Sequence, residues 1–238
     1  MNQEFIQTPA MVLGSAVHTA ILEPESFSSE YVVAPKCDRR TKAGKEIWAN
    51  FTESAGNKTV LAEWEYEVTS QMKNAVLSHP MANKMLTGGE SEYSYFTEFE
   101  GVEVKCRPDY LKNGCLIDLK TTADASYEGF AKQMGNLAYH LQAAFYVDVF
   151  NKATGSEIKD FYFVAVENKK PYAVAVYRLD EPQIEAGRLH YQIALEKYRS
   201  FLAQEKELGE KKALQNHGYS NEILDIQIPY WFLDKINY

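Results

Sequence analysis

Midway along the chain, two apolar runs carry carboxylates where a strand would bury them. Cys115-Leu116-Ile117 leads straight into Asp118-Leu119-Lys120, and the run from Val102 to Tyr110 ends in Arg107-Pro108-Asp109-Tyr110. Lys112-Asn113-Gly114 separates them, and an Asn-Gly step favours a tight hairpin turn. Residues two apart on a strand point to the same face. Asp118 and Lys120 therefore project together, while Leu119 turns into the core and offers only its backbone carbonyl. The hairpin can bring Asp109 beside Asp118. A lone Asp-x-Lys is common on surface hairpins. Directly after an apolar run, however, an unpaired charge is costly, so the pattern points to a working site.

Helical and strand periods surround this hairpin. Pro9 to Leu22 reads as a helix, with Val12, Leu13, Ala16, Val17, Ala20 and Ile21 on its apolar face, and Glu23-Pro24 ends it. A second helix is expected from about Ala62 to Leu77, stopped at Ser78-His79-Pro80. Tyr93 to Phe99 alternates and is expected to join the hairpin as a three-strand meander. A long helix follows, about Tyr127 to Phe150, then a strand pair, Phe161 to Glu167 and Tyr172 to Tyr177. The last helix runs from Glu181 to Glu207, and the aromatic tail, Ile223 to Tyr238, is expected to pack back on the body. The predicted fold is α/β, a mixed central β-sheet flanked by helices. One domain is expected over residues 1–238, with the core motifs in about 13–179 and a C-terminal helix and tail in 181–238.

Charge narrows the function. The net charge is −8, whereas a passive nucleic-acid coat is usually basic. Any DNA contact must come from a local basic patch. The polar stretch Ala34 to Lys45 supplies one, with Lys36, Arg39, Arg40, Lys42 and Lys45 as candidate phosphate contacts; the alternative is a solvated charged loop. Thr121 and Thr122 either add hydroxyl contacts to DNA or cap the next element. Cys37, Cys106 and Cys115 form no Cys-x-x-Cys pair, which argues against a zinc or iron–sulfur site. No apolar run approaches the roughly 18 residues of a membrane span. The N-terminus lacks the layout of a signal peptide. A cytoplasmic protein without membrane contact is expected. Pro9-Ala10-Met11, so near the first motif, suggests a domain cut from a longer protein.

Pro108-Asp109 followed by Asp118-Leu119-Lys120 resembles the signature of the PD-(D/E)XK nuclease superfamily, whose core is that of the restriction endonucleases. Gly14-Ser15-Ala16-Val17-His18 resembles the N-terminal helix motif of its RecB-like branch, and Gln142 followed by Tyr146 resembles that branch's Gln-x-x-x-Tyr helix motif. The wording of Cys106-Arg107-Pro108-Asp109, Asp118-Leu119-Lys120-Thr121-Thr122 and Phe163-Val164-Ala165-Val166-Glu167 is similar to the RecE-type (exonuclease VIII-like) phage recombination exonucleases. These matches span Leu13 to about Leu179.

The resemblance implies a metal site of His18, Asp109, Asp118 and the Leu119 carbonyl, holding Mg²⁺ with Mn²⁺ as substitute. It implies Lys120 as the catalytic cation, with Gln142 and Tyr146 completing the catalytic set beside the terminal nucleotide. It further implies 5′→3′ digestion of double-stranded DNA ends, leaving 3′ overhangs for a RecT-like single-strand annealing protein, by a homo-oligomeric ring. A lone histidine on an apolar helix is usually structural, and only the motif order makes His18 a ligand. His79, His140, His190 and His217 match no family position and are expected to be structural or exposed. The alternative within the fold is a structure- or site-specific DNA endonuclease, although restriction enzymes generally lack the helix histidine and the Gln-x-x-x-Tyr pair. A non-catalytic DNA-binding relative would be expected to have lost a ligand or the lysine.

Overall fold

The computed structural model describes residues 7–216 and 222–227. It divides into two compact units, residues 1–191 and 192–238. The first helix, α1 (Pro9–Leu22), starts at the proline, and the Thr8 hydroxyl caps it by accepting from Met11 N at 3.3 Å. A short turn of helix, α2 (Phe27–Glu30), leads into β1 (Tyr31–Val33), which pairs in parallel with β2 (Thr59–Leu61). Helix α4 (Glu63–Ser78) ends at His79. His79 then caps α5 (Pro80–Met85), its Nδ1 accepting from Ala82 N at 3.1 Å, so this histidine is structural.

The central sheet has five strands in the order β3-β6-β7-β8-β9. These are β3 (Glu90–Ser91), β6 (Tyr110–Lys112), β7 (Cys115–Thr122), β8 (Asp160–Glu167) and β9 (Val174–Arg178). β7 and β8 run parallel, from Cys115↔Asp160 to Thr122↔Glu167, and the other neighbours are antiparallel. A parallel pair needs a crossover, which α6 (Tyr127–Asn136) and α7 (Tyr139–Thr154) provide. One sheet face buries Ile117, Leu119, Val164 and Val166 against Val17 and Ile21 of α1 and Met72 and Val76 of α4. On the other face Phe130 and Tyr139 of the crossover stack on an aromatic layer that includes Phe163 and Tyr177. The Asn113-Gly114 turn has φ of 49° and 72°, the positive pair that a tight hairpin needs.

Several expectations are corrected. The three-strand meander does not form: β4 (Tyr95–Phe99) and β5 (Val102–Cys106) make a separate two-stranded ribbon. Arg107-Pro108-Asp109 breaks the run before β6, where a proline cannot donate to a ladder. The ribbon's aromatic side finds its partners on α7, through Tyr95–Phe150 and Phe99–Phe145. The long central helix is also two helices, with Ala138 between them in the left-handed region at φ 52°. The basic segment is a loop only to Thr41; α3 (Lys42–Ala55) begins there, capped by the Thr41 hydroxyl accepting from Gly44 N at 3.0 Å. A side chain on Gly44 would meet the Asp38 carbonyl at 2.0 Å, so the loop closes tightly on the helix.

The last helices, α8 (Glu181–Leu208) and α9 (Glu210–Asn216), follow β9. In the described part of the tail Ile223, Leu224 and Ile226 are exposed. The remainder of that aromatic segment, 228–238, lies outside the described residues, as does His217. No helix among the described residues is long and apolar enough to cross a membrane.

Candidate active site

α1 lies on β7, with Gly14 facing the Thr121 hydroxyl at ordinary contact distance. Four residues on, along the same helix face, His18 meets the next stretch of strand. Its ring hydrogen-bonds the Leu119 backbone, and Nδ1 lies 3.5 Å from Asp109 Oδ2. Asp109 is fixed in turn: Oδ2 accepts from Leu119 N at 2.7 Å, across the hairpin. Leu119 itself is fully buried, so its backbone joins the site while its side chain serves the core.

Asp118 and Lys120 share the opposite face of β7. Asp118 is only 1% exposed, and its Oδ2 lies 2.6 Å from Lys120 Nζ. Gln142 joins the two from α7: its amide donates to Asp118 Oδ1 at 2.7 Å, and its carbonyl accepts from Lys120 at 3.0 Å. Tyr146, one turn on, hydrogen-bonds Gln142. The ammonium also sits 4.6 Å over the Tyr139 ring, a cation–π contact that favours charge in a partly desolvated place. Behind it runs a support line. Thr122 is buried, and its hydroxyl donates to Gln133 Oε1 at 2.6 Å, while Gln133 donates to the Tyr139 hydroxyl at 3.1 Å. Thr122 is thus committed to the interior and to the loop at Asp124.

Burial and charge set the protonation states. Burial drives His18 below the ordinary histidine value, against the pull of Asp118, and so holds the neutral ring that a metal requires. Burial, then the like charge of Asp118, raises Asp109 well above the carboxylate range. Burial alone would lower Lys120, but the Asp118 charge and hydrogen bond, then Asp109, outweigh it and hold the ammonium above its usual value. Burial likewise raises the Tyr146 phenol.

The donor set fits a hard divalent cation. His18, Glu92 and Asp109 bring ligand atoms within 4.8 Å of one another. Asp118 Oδ2 is buried against the Lys120 ammonium at 2.6 Å, while Oδ1 accepts from the Gln142 amide. Carboxylate oxygens with one imidazole suit Mg²⁺ or Mn²⁺.

The fold thus brings together His18, Asp109, Asp118, Lys120, Gln142 and Tyr146, six residues from three elements and one connecting loop. The basic segment is engaged differently. Lys36 pairs with Glu63 at 2.6 Å, Arg40 is held by Asp38, and Arg39 lies over Trp48 at 4.1 Å. Lys42 and Lys45 stand exposed on α3. Two residues escaped the sequence reading. Tyr139 carries no motif, and Glu92 follows a strand of two residues, too short for any periodicity to announce it.

A mixed sheet whose hairpin presents Asp109, Asp118 and Lys120 to a histidine on the first helix defines a PD-(D/E)XK fold of the nuclease superfamily. The chain belongs to the family described as PDDEXK-like domain of unknown function (DUF3799), which matches residues 1–211. Its structure is similar to the crystal structure of a "Putative exonuclease" from Eubacterium rectale, at 14% identity and a TM-score of 0.61, covering 97% of this chain and 81% of that one. The crystal structure of SSO0001 is more remote, at 17% identity and a TM-score of 0.31 over 80% of this chain and 88% of the other. Among curated proteins none matches the sequence.

Proposed function

We propose that this protein is a metal-dependent exonuclease that digests double-stranded DNA from an end, 5′→3′, and leaves a 3′ overhang. The observation that carries the metal-nuclease part of this reading is the Gln142 bridge between Asp118 and Lys120. It fixes a buried carboxylate and a half-buried ammonium on one strand face, beside the cluster of His18, Glu92 and Asp109. Mg²⁺, with Mn²⁺ as substitute, would be held by His18, Asp109, Asp118 and the Leu119 carbonyl, and supplies Lewis-acid stabilisation and an activated nucleophile at neutral pH.

The chain's own groups do the rest. Lys120 is preorganised to meet charge developing on the phosphate, and it needs no reorganisation because Gln142, Asp118 and Tyr139 already fix it. Lacking a lone pair as an ammonium, it is not a ligand. His18 and Asp109, locked to the Leu119 backbone, hold the donor geometry. Gln142 and Tyr146 line the side where the terminal nucleotide enters.

The polarity, the 3′ overhang and the handover to a RecT-like annealing protein rest on the resemblance to RecE-type exonucleases, as does the ring. A ring would place an acidic exterior away from a basic lining, where Lys42 and Lys45 of α3 are the exposed candidates and Arg39 and Thr121 stand second. The test uses linear duplex labelled at the 5′ or the 3′ end, beside closed circular duplex, with Mg²⁺ or EDTA. Early loss of the 5′ label from linear DNA with intact circles is expected. Cleavage of the circle selects the endonuclease reading instead, and robust cleavage in excess EDTA ends the metal mechanism. Co-purification with an annealing protein from the same operon tests the partner.

A further inference from the structure

Glu92 occupies a position that its local sequence does not prepare. Its φ of 59° places a non-glycine residue in the left-handed region, a conformation that costs energy and persists where the surroundings impose it. Here the surroundings do so. The Glu92 N–H donates to the Asp109 carbonyl at 3.1 Å, extending the pairing of β3 with β6. The result is a carboxylate turned into the cluster with His18 and Asp109. The same carboxylate has a second claimant, Arg107, whose Nε lies 2.7 Å from Glu92 Oε2. The two partners differ in burial: the Glu92 side chain is 17% exposed and that of Arg107 is 55% exposed.

We propose that Glu92 is a further ligand of the metal centre and that Arg107 is its resident counter-ion, released toward DNA phosphate when a divalent cation takes the carboxylate. This rests on the metal-nuclease reading above. Three features support the exchange. First, the Glu92 carboxylate lies beside the His18 and Asp109 donor atoms, and the Arg107 guanidinium at 2.7 Å is the cation that compensates it. A cation at the cluster supplies that compensation more fully than one exposed guanidinium. Second, an ion pair with one partner more than half exposed is weak, and its loss strands no buried cation. Third, Pro108 fixes the backbone between Arg107 and Asp109, so a freed guanidinium stays beside the site. There its planar fork matches a phosphate.

The exchange makes grip on DNA depend on metal loading. Without metal, Glu92 neutralises Arg107 and the cluster repels phosphate. With metal, the carboxylates are neutralised and one more cationic side chain faces the backbone.

The experiment pairs metal titration with DNA binding at several salt concentrations, using Glu92→Gln, Arg107→Ala and the double variant. Calorimetric Mn²⁺ titration is expected to show Glu92→Gln weakened by about tenfold or more, because charge count sets the affinity of an oxygen site. Arg107→Ala is expected to bind Mn²⁺ as well as wild type or better. Binding of fluorescent duplex in Ca²⁺ is expected to show a log–log salt slope shallower by about 0.9 for Arg107→Ala, the value of one phosphate contact. In EDTA, wild type and Arg107→Ala are expected to share one slope, and Glu92→Gln is expected to be steeper by about the same amount. The double variant loses that gain. Glu92→Asp, which keeps the charge on a shorter stem, guards against a folding artefact and is expected to recover part of the metal affinity. An unchanged Mn²⁺ affinity in Glu92→Gln, or equal slopes for wild type and Arg107→Ala in Ca²⁺, overturns the exchange. The underlying nuclease reading fails separately, by a wild type that neither binds Mn²⁺ nor cleaves DNA.

Discussion

Replacing Lys120 with alanine separates stability from catalysis. Asp118 is 1% exposed and loses an ammonium at 2.6 Å, while the Gln142 hydrogen bond at 2.7 Å remains. Breaking a buried ion pair from one side costs about 3–5 kcal/mol. Lys120 is 18% exposed and Gln142 still serves Asp118, so a loss of about 2–3 kcal/mol is expected for the metal-free protein. For a unit of this size that lowers the melting temperature by roughly 5–10 °C. Saturating Mn²⁺ supplies the missing positive charge beside Asp118, and most of this loss is expected to disappear. The rate does not recover, because the lost ammonium acts on the transition state and not on the resting site. Single-turnover cleavage is expected to fall by about 10²–10³, or roughly 3–4 kcal/mol. Lys120→Gln, which keeps hydrogen bonding without charge, is expected to be nearly as slow. The assays are thermal melts in EDTA and in Mn²⁺, beside single-turnover digestion of linear duplex. Near-wild-type cleavage by Lys120→Ala, or a rate that Mn²⁺ restores together with stability, would refute the reasoning.

Asp109→Asn tests the raised carboxylate. The folded-state pKa of Asp109 lies above the unfolded value, so protons favour the fold, and the penalty for the charged form applies above the folded pKa. In EDTA at about pH 8 the variant is expected to be more stable than wild type by roughly 1 kcal/mol, since asparagine keeps an acceptor for Leu119 N without the charge. The two melts are expected to converge as pH falls toward about 4, the unfolded carboxylate value. Saturating Mn²⁺ is expected to reverse the order, and a variant less stable at every pH without metal would show a structural role. Gly187→Ala tests the contact of α7 with α8: the new Cβ would stand 2.1 Å from the His140 carbonyl oxygen. A loss of about 2–3 kcal/mol is expected in denaturant melts, and an unchanged midpoint would show that the helices can separate freely. Replacing Arg39, Arg40 and Lys42 together with alanine is expected to flatten the salt dependence of DNA binding by less than three phosphate contacts, at about 0.9 each, because Asp38 already holds Arg40. An unchanged slope removes the segment from the DNA path.

The parts of the site that rest on local pattern were legible in the sequence. Asp118 and Lys120 share a face because strands alternate, and Asp109 approaches because Asn113-Gly114 permits a tight turn. The bounds of α1 followed from Pro9 and from Glu23-Pro24. What escaped depended on contacts between distant segments. The ribbon of β4 and β5 leaves the sheet because Tyr95 and Phe99 find aromatic partners on α7, and nothing in an alternating run of residues names its partner. The break at Ala138 is a choice of backbone conformation that an apolar periodicity passes over. Glu92 enters the site through the pairing of β3 with β6, a two-residue match that propensity is too weak to forecast. The resemblance supplied His18 and Gln142, which spacing alone would have left as ordinary helix residues.

The pairing of β7 with β8 has a consequence for how such a site can change. Eight matched positions, Cys115↔Asp160 through Thr122↔Glu167, clamp the strand between two buried faces. A shift of one residue would send Leu119 toward Gln142 and drive both Asp118 and Lys120 into the layer of Val17, Met72 and Val166, so intermediate registers are closed to it. The strand can neither slide nor be retuned by degrees. If Lys120 acts as proposed above, that chemistry is switched by replacement at single positions, and a descendant that lost the lysine would keep the same scaffold around a silent site.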